Sequence, residues 1–335
     1  MNLCGKAVQY LQNVKGKFFM KTFNGYKRGV DLGGWLSQCC HEKAHYDSFI
    51  GKSDIEKIAS WGLDHVRLPI DYDLVEDKDG NPLEEGYRYI DNAVEWCGEA
   101  GLNLVLDLHK TAGYSFDKGE QENGFFDSED LQERFCKLWE KLAKRYGKFS
   151  GRVAFELLNE VTDKSYSDAW NGIIYKCIER IRKIAPDTII IVGGYWNNSP
   201  DALPDLVKPY DEKIVLSFHC YDPLDFTHQG ASWVDYMDVS AKKSFDEKEI
   251  TADYFAKRFS PALETAEKYN AALYCGEYGV IDKADPQDVL KWYKAINGAF
   301  ERFGLSRCAW NYKQKDFGLS DEWIKPVIDE LVKYL

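Results

Sequence analysis

Two glutamates, Glu160 and Glu277, each close an apolar run, and together they could carry out one well-defined reaction. A pair of carboxyl groups hydrolyses an acetal when one protonates the departing oxygen while the other attacks the anomeric carbon, which requires different proton affinities for the two. Arg67 could lower the pKa of one partner by charge, and Tyr221 could hydrogen-bond its carboxylate. Asn159, next to Glu160, is placed to hold a sugar hydroxyl, while His109 and His219 could orient the pair or the sugar. Trp310 offers an apolar floor for a ring and an indole N–H for a polar contact. Each residue alone has a plainer structural reading: a salt-bridged rim glutamate, a hydrogen-bonded core histidine, a tryptophan plug, an arginine neutralising buried carboxylates. Their shared position at the ends of successive apolar runs favours chemistry.

Those runs imply the scaffold. From Arg28 onward, short β-rich segments alternate with segments of helical period, the pattern of repeated βα units. Eight strands are predicted: Gly29 to Trp35, His65 to Pro69, Leu102 to His109, Val153 to Glu160, Thr188 to Tyr195, Ile214 to Tyr221, Ala272 to Gly279 and Arg307 to Tyr312. Runs such as Leu104, Val105 and Leu106 are apolar on both faces, as strands covered by helices outside and packed side chains inside must be. The prediction is a single (β/α)8 barrel over residues 25–335, preceded by an N-terminal extension, residues 1–24. In such a barrel reactive groups sit at the carboxyl ends of the strands, where all of the residues above fall.

The helices carry their own punctuation. Ser53 followed by Glu56 reads as a capping box, and Asp285 with Pro286 as an N-cap and first-turn proline. The longest predicted helix runs from about Ser128 to Tyr146, with Leu131, Phe135, Leu138, Leu142 and Tyr146 on one face. The longest irregular stretch is Asp222 to about Glu249, and loops of that length usually bind or move. Trp35, Trp196, Phe226 and Trp233, like Trp310, fall at strand ends or in the loops beyond them, where flat rings could stack on sugar rings.

Bulk properties exclude other classes. With 43 Lys plus Arg against 55 Asp plus Glu the net charge is -12, and no basic block follows a phosphate backbone, so nucleic acid is not an expected partner. The 9 cysteines are odd in number and scattered apart from Cys39 and Cys40, which predicts reduced thiols rather than a disulfide framework. Met1 to Phe23 contains Lys6, Lys15, Lys17 and Lys21 but no apolar core of a secretory signal, and no run is long enough to span a bilayer. The expectation is a soluble monomer without membrane contact, cytoplasmic or released without a recognisable signal peptide.

Several segments together resemble glycoside hydrolase family 5: Gly33-Gly34-Trp35, Asp64-His65-Val66-Arg67-Leu68-Pro69, Asp107-Leu108-His109, Phe155 to Glu160, Phe218-His219-Cys220-Tyr221, Tyr274 to Gly279 and Ala309 to Lys313. The likeness runs in order from Gly25 to the C-terminus. Phe226-Thr227-His228-Gln229, followed by Trp233, is similar to a segment of the bacterial cellulase C-type endoglucanases of that family. The resemblance implies a retaining mechanism, with Glu160 as acid/base and Glu277 as nucleophile. Arg67, His109, Asn159, His219, Tyr221 and Trp310 would then be the supporting set, without cofactor or metal. It also implies a β-glucan substrate, β-1,4 or mixed β-1,3/1,4. The chain departs from the pattern at Lys110, where relatives often carry a second histidine, and after strand six, where the segment looks shorter than their inserted subdomain.

Other readings stay open at this level. His41-Glu42-Lys43-Ala44-His45 fits the zinc-protease pattern, although it lies in a loop, lacks an apolar helical run and has no evident third ligand. Gly51-Lys52-Ser53 ends like a phosphate loop, but Tyr46 stands where the first glycine is required. A metal-dependent barrel hydrolase would use His109 and His219 as ligands, and a noncatalytic glycan-binding barrel would keep Trp310 yet tolerate loss of Glu277. A relative cutting mannan, or an exo-acting one releasing terminal β-1,3-glucosyl units, would share every catalytic residue.

Overall fold

Side chains alternate along a strand, so in a closed barrel every second residue points inward. The computed structural model describes residues 21–335, apart from Lys118, Gln121 and Ala241, and contains eight parallel strands. They are β1 (Arg28–Asp31), β2 (His65–Asp71), β3 (Asn103–Lys110), β4 (Val153–Glu156), β5 (Ile190–Gly193), β6 (Ile214–His219), β7 (Ala272–Glu277) and β8 (Ser306–Ala309). Each pairs with its sequence neighbours, and β1 closes on β8 through Arg28 opposite Arg307, so the chain forms the expected (β/α)8 barrel. The anticipated N-terminal extension lies outside the described residues as far as residue 20.

The interior has two tiers. Val105, Ala154, Ile191, Val215, Ala272, Tyr274 and Cys308 fill the lower part as an apolar plug, which Phe23 and Tyr26 close from below with rings stacked at 4.1 Å. Two and four residues further along the same strands the inward positions become polar: Asp107 and His109 above Val105, Glu156 above Ala154, Ser217 and His219 above Val215. Burial at the base holds the strands together, and the upper tier is free to be chemical.

The outer layer follows the predicted caps with one correction. Glu129–Tyr146 starts at Ser128, whose hydroxyl accepts from the Leu131 N–H at 3.3 Å, and Pro286–Phe303 starts at Asp285, which accepts from the Gln287 N–H at 2.9 Å. The helix Lys52–Ser60 instead begins after Gly51, whose N–H donates to Asp54 at 2.9 Å. Ser53 is therefore inside the first turn and caps nothing. After β5 a short 3-10 segment, Pro200–Asp205, replaces a full helix; Pro204 inside it has no N–H for an α-helical ladder.

The described cysteines are free thiols, six of them buried, while Cys39 and Cys40 stand nearer the surface. No helix among the described residues is long and apolar enough to cross a membrane.

Candidate active site

Arg67 organises the barrel mouth. Fully buried on β2, it donates to Glu277 Oε1 at 2.7 Å, Asp31 at 2.9 Å, Glu156 at 2.7 and 3.2 Å and the Asn159 side-chain oxygen Oδ1 at 2.9 Å, and it lies 3.1 Å from Asp107. One guanidinium thus faces four carboxyl groups from β1, β3, β4 and β7. Burial pushes Asp31 and Glu156 above the ordinary carboxyl range and Asp107 up to about 7, with the arginine charge working against that rise. Sequence reasoning missed Asp31, Asp107 and Glu156, although stepping back two residues from His109 reaches Asp107.

Glu277 reaches the same face through an irregularity. Alternation from Ala272 and Tyr274 would point Gly276 inward, but the β6–β7 register shifts between Phe218 and His219, so that His219 sits opposite Glu277. The missing side chain at Gly276 matters, because a Cβ there would lie 3.0 Å from both His219 and Ser217. Glu277 accepts from Arg67 on one oxygen and from the Tyr221 hydroxyl at 2.8 Å on the other. Beneath Tyr221, the predicted Phe226-Thr227-His228-Gln229 segment forms a buttress: His228 meets its ring edge-on at 4.9 Å, and Gln229 ties Phe226 to Lys243.

Glu160 lies beyond the strand rather than at its end. β4 stops at Glu156, four residues short of expectation; Asn159 N–H is tied to Leu108 O at 3.0 Å, and Glu160 takes a left-handed φ of 41°. Its carboxyl oxygens contact His219 Nδ1 at 2.8 Å and the Asn197 amide at 2.9 Å. Burial raises its pKa, and the hydrogen bond from Asn197 is the first effect opposing this. His219 is pushed down to about 4, chiefly by burial, so the ring is neutral near pH 7. Carboxyl oxygens of Glu160 and Glu277 and a ring nitrogen of His219 lie within 4.8 Å of one another.

His109 is also buried and lowered by burial. Its Nδ1 contacts Asp107 at 2.6 Å, which makes Nδ1–H the donor and leaves Nε2 facing the Asn159 amide at 3.4 Å. Trp310 lies parallel to it at 5.8 Å, with its ring against Gly33, where a Cβ would come within 2.4 Å. Phe116 approaches the other side of His109 edge-on at 5.0 Å. Lys110, the departure noted in the sequence, sits 3.2 Å from Asp73, 3.1 Å from Glu120 and 3.8 Å from Asp71.

The aromatic set divides. Trp196 and Trp233 are each 51% exposed and can present a face to ligand, and Trp310 shows 7% at the bottom of the cleft. Trp35 and Phe226 do not fit the expected stacking role. Trp35 is fully buried, bonded to Tyr46 O at 2.9 Å and stacked on Trp96, because the strand β1 ends early and the chain turns it under the rim. Phe226 packs against Phe245 and pins the long loop. The zinc-protease pattern also dissolves: His41 precedes the short helix Lys43–Ser48 and contacts Tyr46 OH, whereas His45 contacts Gly34 O.

This arrangement has counterparts. The family profile described as cellulase (glycosyl hydrolase family 5) matches residues 27–316. Cellodextrinase A of Ruminococcus flavefaciens is 52% identical over 288 residues, 86% of either chain, and endoglucanase C of Acetivibrio thermocellus is 38% identical over 337 residues, covering 92% of this chain and 98% of its own. Among solved structures, the clostridial cellulose synthase subunit Z of Clostridioides difficile superposes with a TM-score of 0.79 at 29% identity, covering 91% of this chain and 99% of that one. A match that runs from the first barrel strand to just past the last, with relatives this similar over most of their length, places the chain in glycosyl hydrolase family 5: it is a glycoside hydrolase.

Proposed function

We propose that this protein hydrolyses β-1,4 and mixed β-1,3/1,4 glucan chains with retention of configuration, Glu277 acting as nucleophile and Glu160 as acid/base, from one catalytic barrel of residues 25–335. The observation that carries this reading is the spacing of the two carboxyl groups, with oxygens within 4.8 Å. Retaining pairs stand about 5 to 5.5 Å apart, whereas an inverting pair needs roughly 6.5 to 9.5 Å to admit water between them.

The environments divide the labour. Arg67 and Tyr221 donate to both oxygens of Glu277 and so hold its carboxylate in place to attack the anomeric carbon. Burial raises the Glu160 pKa and so favours its protonated form, which passes the proton to the departing glycosidic oxygen as the covalent glycosyl ester forms. Glu160, now a carboxylate, takes a proton from water that attacks the same carbon and frees Glu277. Asn159 offers its amide to a hydroxyl of the sugar above Trp310. Names of the two relatives, a cellodextrinase and an endoglucanase, support cello-oligosaccharides and soluble β-glucan as the substrate class.

Proton NMR of the first product from cello-oligosaccharides is expected to show the β anomer, and barley-type mixed-linkage glucan is expected to be cut far faster than mannan. Initial α product would overturn the mechanism. A strong preference for mannan, or glucose alone released from laminarin ends, would overturn the substrate class and leave the mechanism standing.

Trp233, half exposed and edge-on to His228 at 6.4 Å, is the aromatic best placed to hold a sugar beyond the reacting one. Trp233→Ala is expected to raise KM more than it lowers kcat, because stacking there binds ground state and transition state alike. A variant with unchanged KM would remove Trp233 from the groove.

A further inference from the structure

The loop after β5 holds an unusual stretch of backbone. Trp196, Asn197 and Asn198 take consecutive left-handed φ values of 51°, 54° and 55°, a region that asparagine enters more readily than other side chains and tryptophan enters rarely. The Asn197 N–H bonds Val161 O at 3.1 Å, which fastens this turn to the residue after Glu160. Left-handed geometry also places the two asparagine side chains on the same target by different routes. Asn197 Nδ2 reaches Glu160 Oε2 at 2.9 Å, and Asn198 Nδ2 reaches His219 Nε2 at 3.3 Å.

The second contact fixes a proton. With the Asn198 amide N–H directed at it, His219 Nε2 accepts, and the neutral ring then carries its hydrogen on Nδ1, the nitrogen that faces Glu160. That hydrogen points at Glu160 Oε1, 2.8 Å away. Both oxygens of one carboxyl group are therefore held by donors set by neighbouring residues of a single turn.

We propose that Asn197 and Asn198 are positioning residues for the acid/base, Asn197 by direct donation to Glu160 and Asn198 by locking the His219 tautomer that donates to it. The inference rests on the role of Glu160 given above. The device serves the half of the cycle in which Glu160 is a carboxylate: two donors stabilise the anion that must deprotonate water, while burial works in the opposite direction and favours the acid needed in the first half. Other titratable groups face Glu160 as well. Arg67 and His109 work to lower its pKa, Asp107 and Glu277 bring like-charged carboxyl groups near it, and the hydroxyls of Tyr114 and Tyr221 lie close by. None of these is altered by changing Asn197.

The test uses the full chain with Asn197→Gly, which keeps the left-handed backbone but removes the amide, and Asn197→Asp, which keeps shape and replaces a donor by a like charge. Asn198→Asp replaces the donor on His219 Nε2 by an acceptor and draws the ring hydrogen away from Glu160. For Asn197→Gly, kcat on cello-oligosaccharides is expected to fall roughly 10-fold, a fraction of the 10²–10⁴ that an acid/base supplies. The alkaline limb of kcat/KM should move up by roughly half a pH unit, and further for Asn197→Asp, because losing a donor to the anion raises the pKa of Glu160. With a dinitrophenyl β-cellobioside, whose leaving group needs no proton, kcat/KM should stay near wild type. Equal losses of kcat/KM on both substrates, or an unmoved pH profile in both Asn197 variants, would overturn the proposal. Should Asn197→Gly fail to fold, Asn197→Asp gives the same readouts. Glu160→Ala measured in parallel separates the two levels: if it spares the cello-oligosaccharide rate, the role of Glu160 itself is wrong.

Discussion

Glu277→Gln is expected to abolish turnover on cello-oligosaccharides, with kcat falling by roughly 10⁴-fold or more, as when a nucleophile that works with its partners as a unit is removed. The amide matches the carboxylate in shape but cannot form the glycosyl ester. Stability should hold or rise slightly, because the substitution removes one of the four carboxyl groups crowded around Arg67. Kinetics together with thermal unfolding checks both halves. A variant retaining more than about one-hundredth of the rate would exclude Glu277 as nucleophile.

Arg67→Ala should be the most damaging single change to the fold. It leaves Asp31, Asp107, Glu156 and Glu277 buried without a cation, and breaking such a set by removing one partner costs about 3 to 5 kcal/mol. Burial already holds Asp31, Asp107 and Glu156 above the usual range with the arginine present. Without it their folded-state pKa values rise further, so the folded protein binds more protons than the unfolded chain and the deficit widens as pH increases above the unfolded carboxyl range near about 4. Arg67→Lys keeps the charge but lacks the planar fork that reaches several partners at once, and should lie between the two in stability while remaining nearly inactive. Denaturant unfolding of both variants at two pH values is the measurement. An alanine variant as stable as the parent at pH 8 would show that the carboxyl groups do not depend on Arg67.

The eight strands were legible because their apolar runs and the caps between them are local signals. Arg67, His109, Asn159, Glu160, His219, Tyr221, Glu277 and Trp310 do meet at the carboxyl end of the barrel. What stayed hidden needed three dimensions. Four residues of apparent strand, Leu157 to Glu160, leave the ladder, and no local pattern marks the positive φ that redirects the last of them. The register shift opposite His219 that turns Glu277 inward is a property of two paired strands, not of either alone. Trp35 and Phe226 carried the same aromatic signal as Trp196 and Trp233, yet two are core and two are surface, because exposure depends on where the loops fold back. Asn197 and Asn198 looked like ordinary loop residues, and only the left-handed turn gives them a target.

The knot around Arg67 also constrains how the chain can assemble. Its carboxyl partners come from β1, β3, β4 and β7, and the barrel closes only when Arg28 meets Arg307 at the far end of the sequence. Contacts of that separation form late, since the entropy of closing long loops is lost before the contacts compensate it. A partly built barrel lacking any of these strands would have to bury a cation or several anions without their counterparts, a state that water outcompetes. The charged tier therefore stays hydrated until the last strands arrive, and no fragment of the barrel can hold a working version of the site. Closure of the sheet and assembly of the catalytic groups become one event.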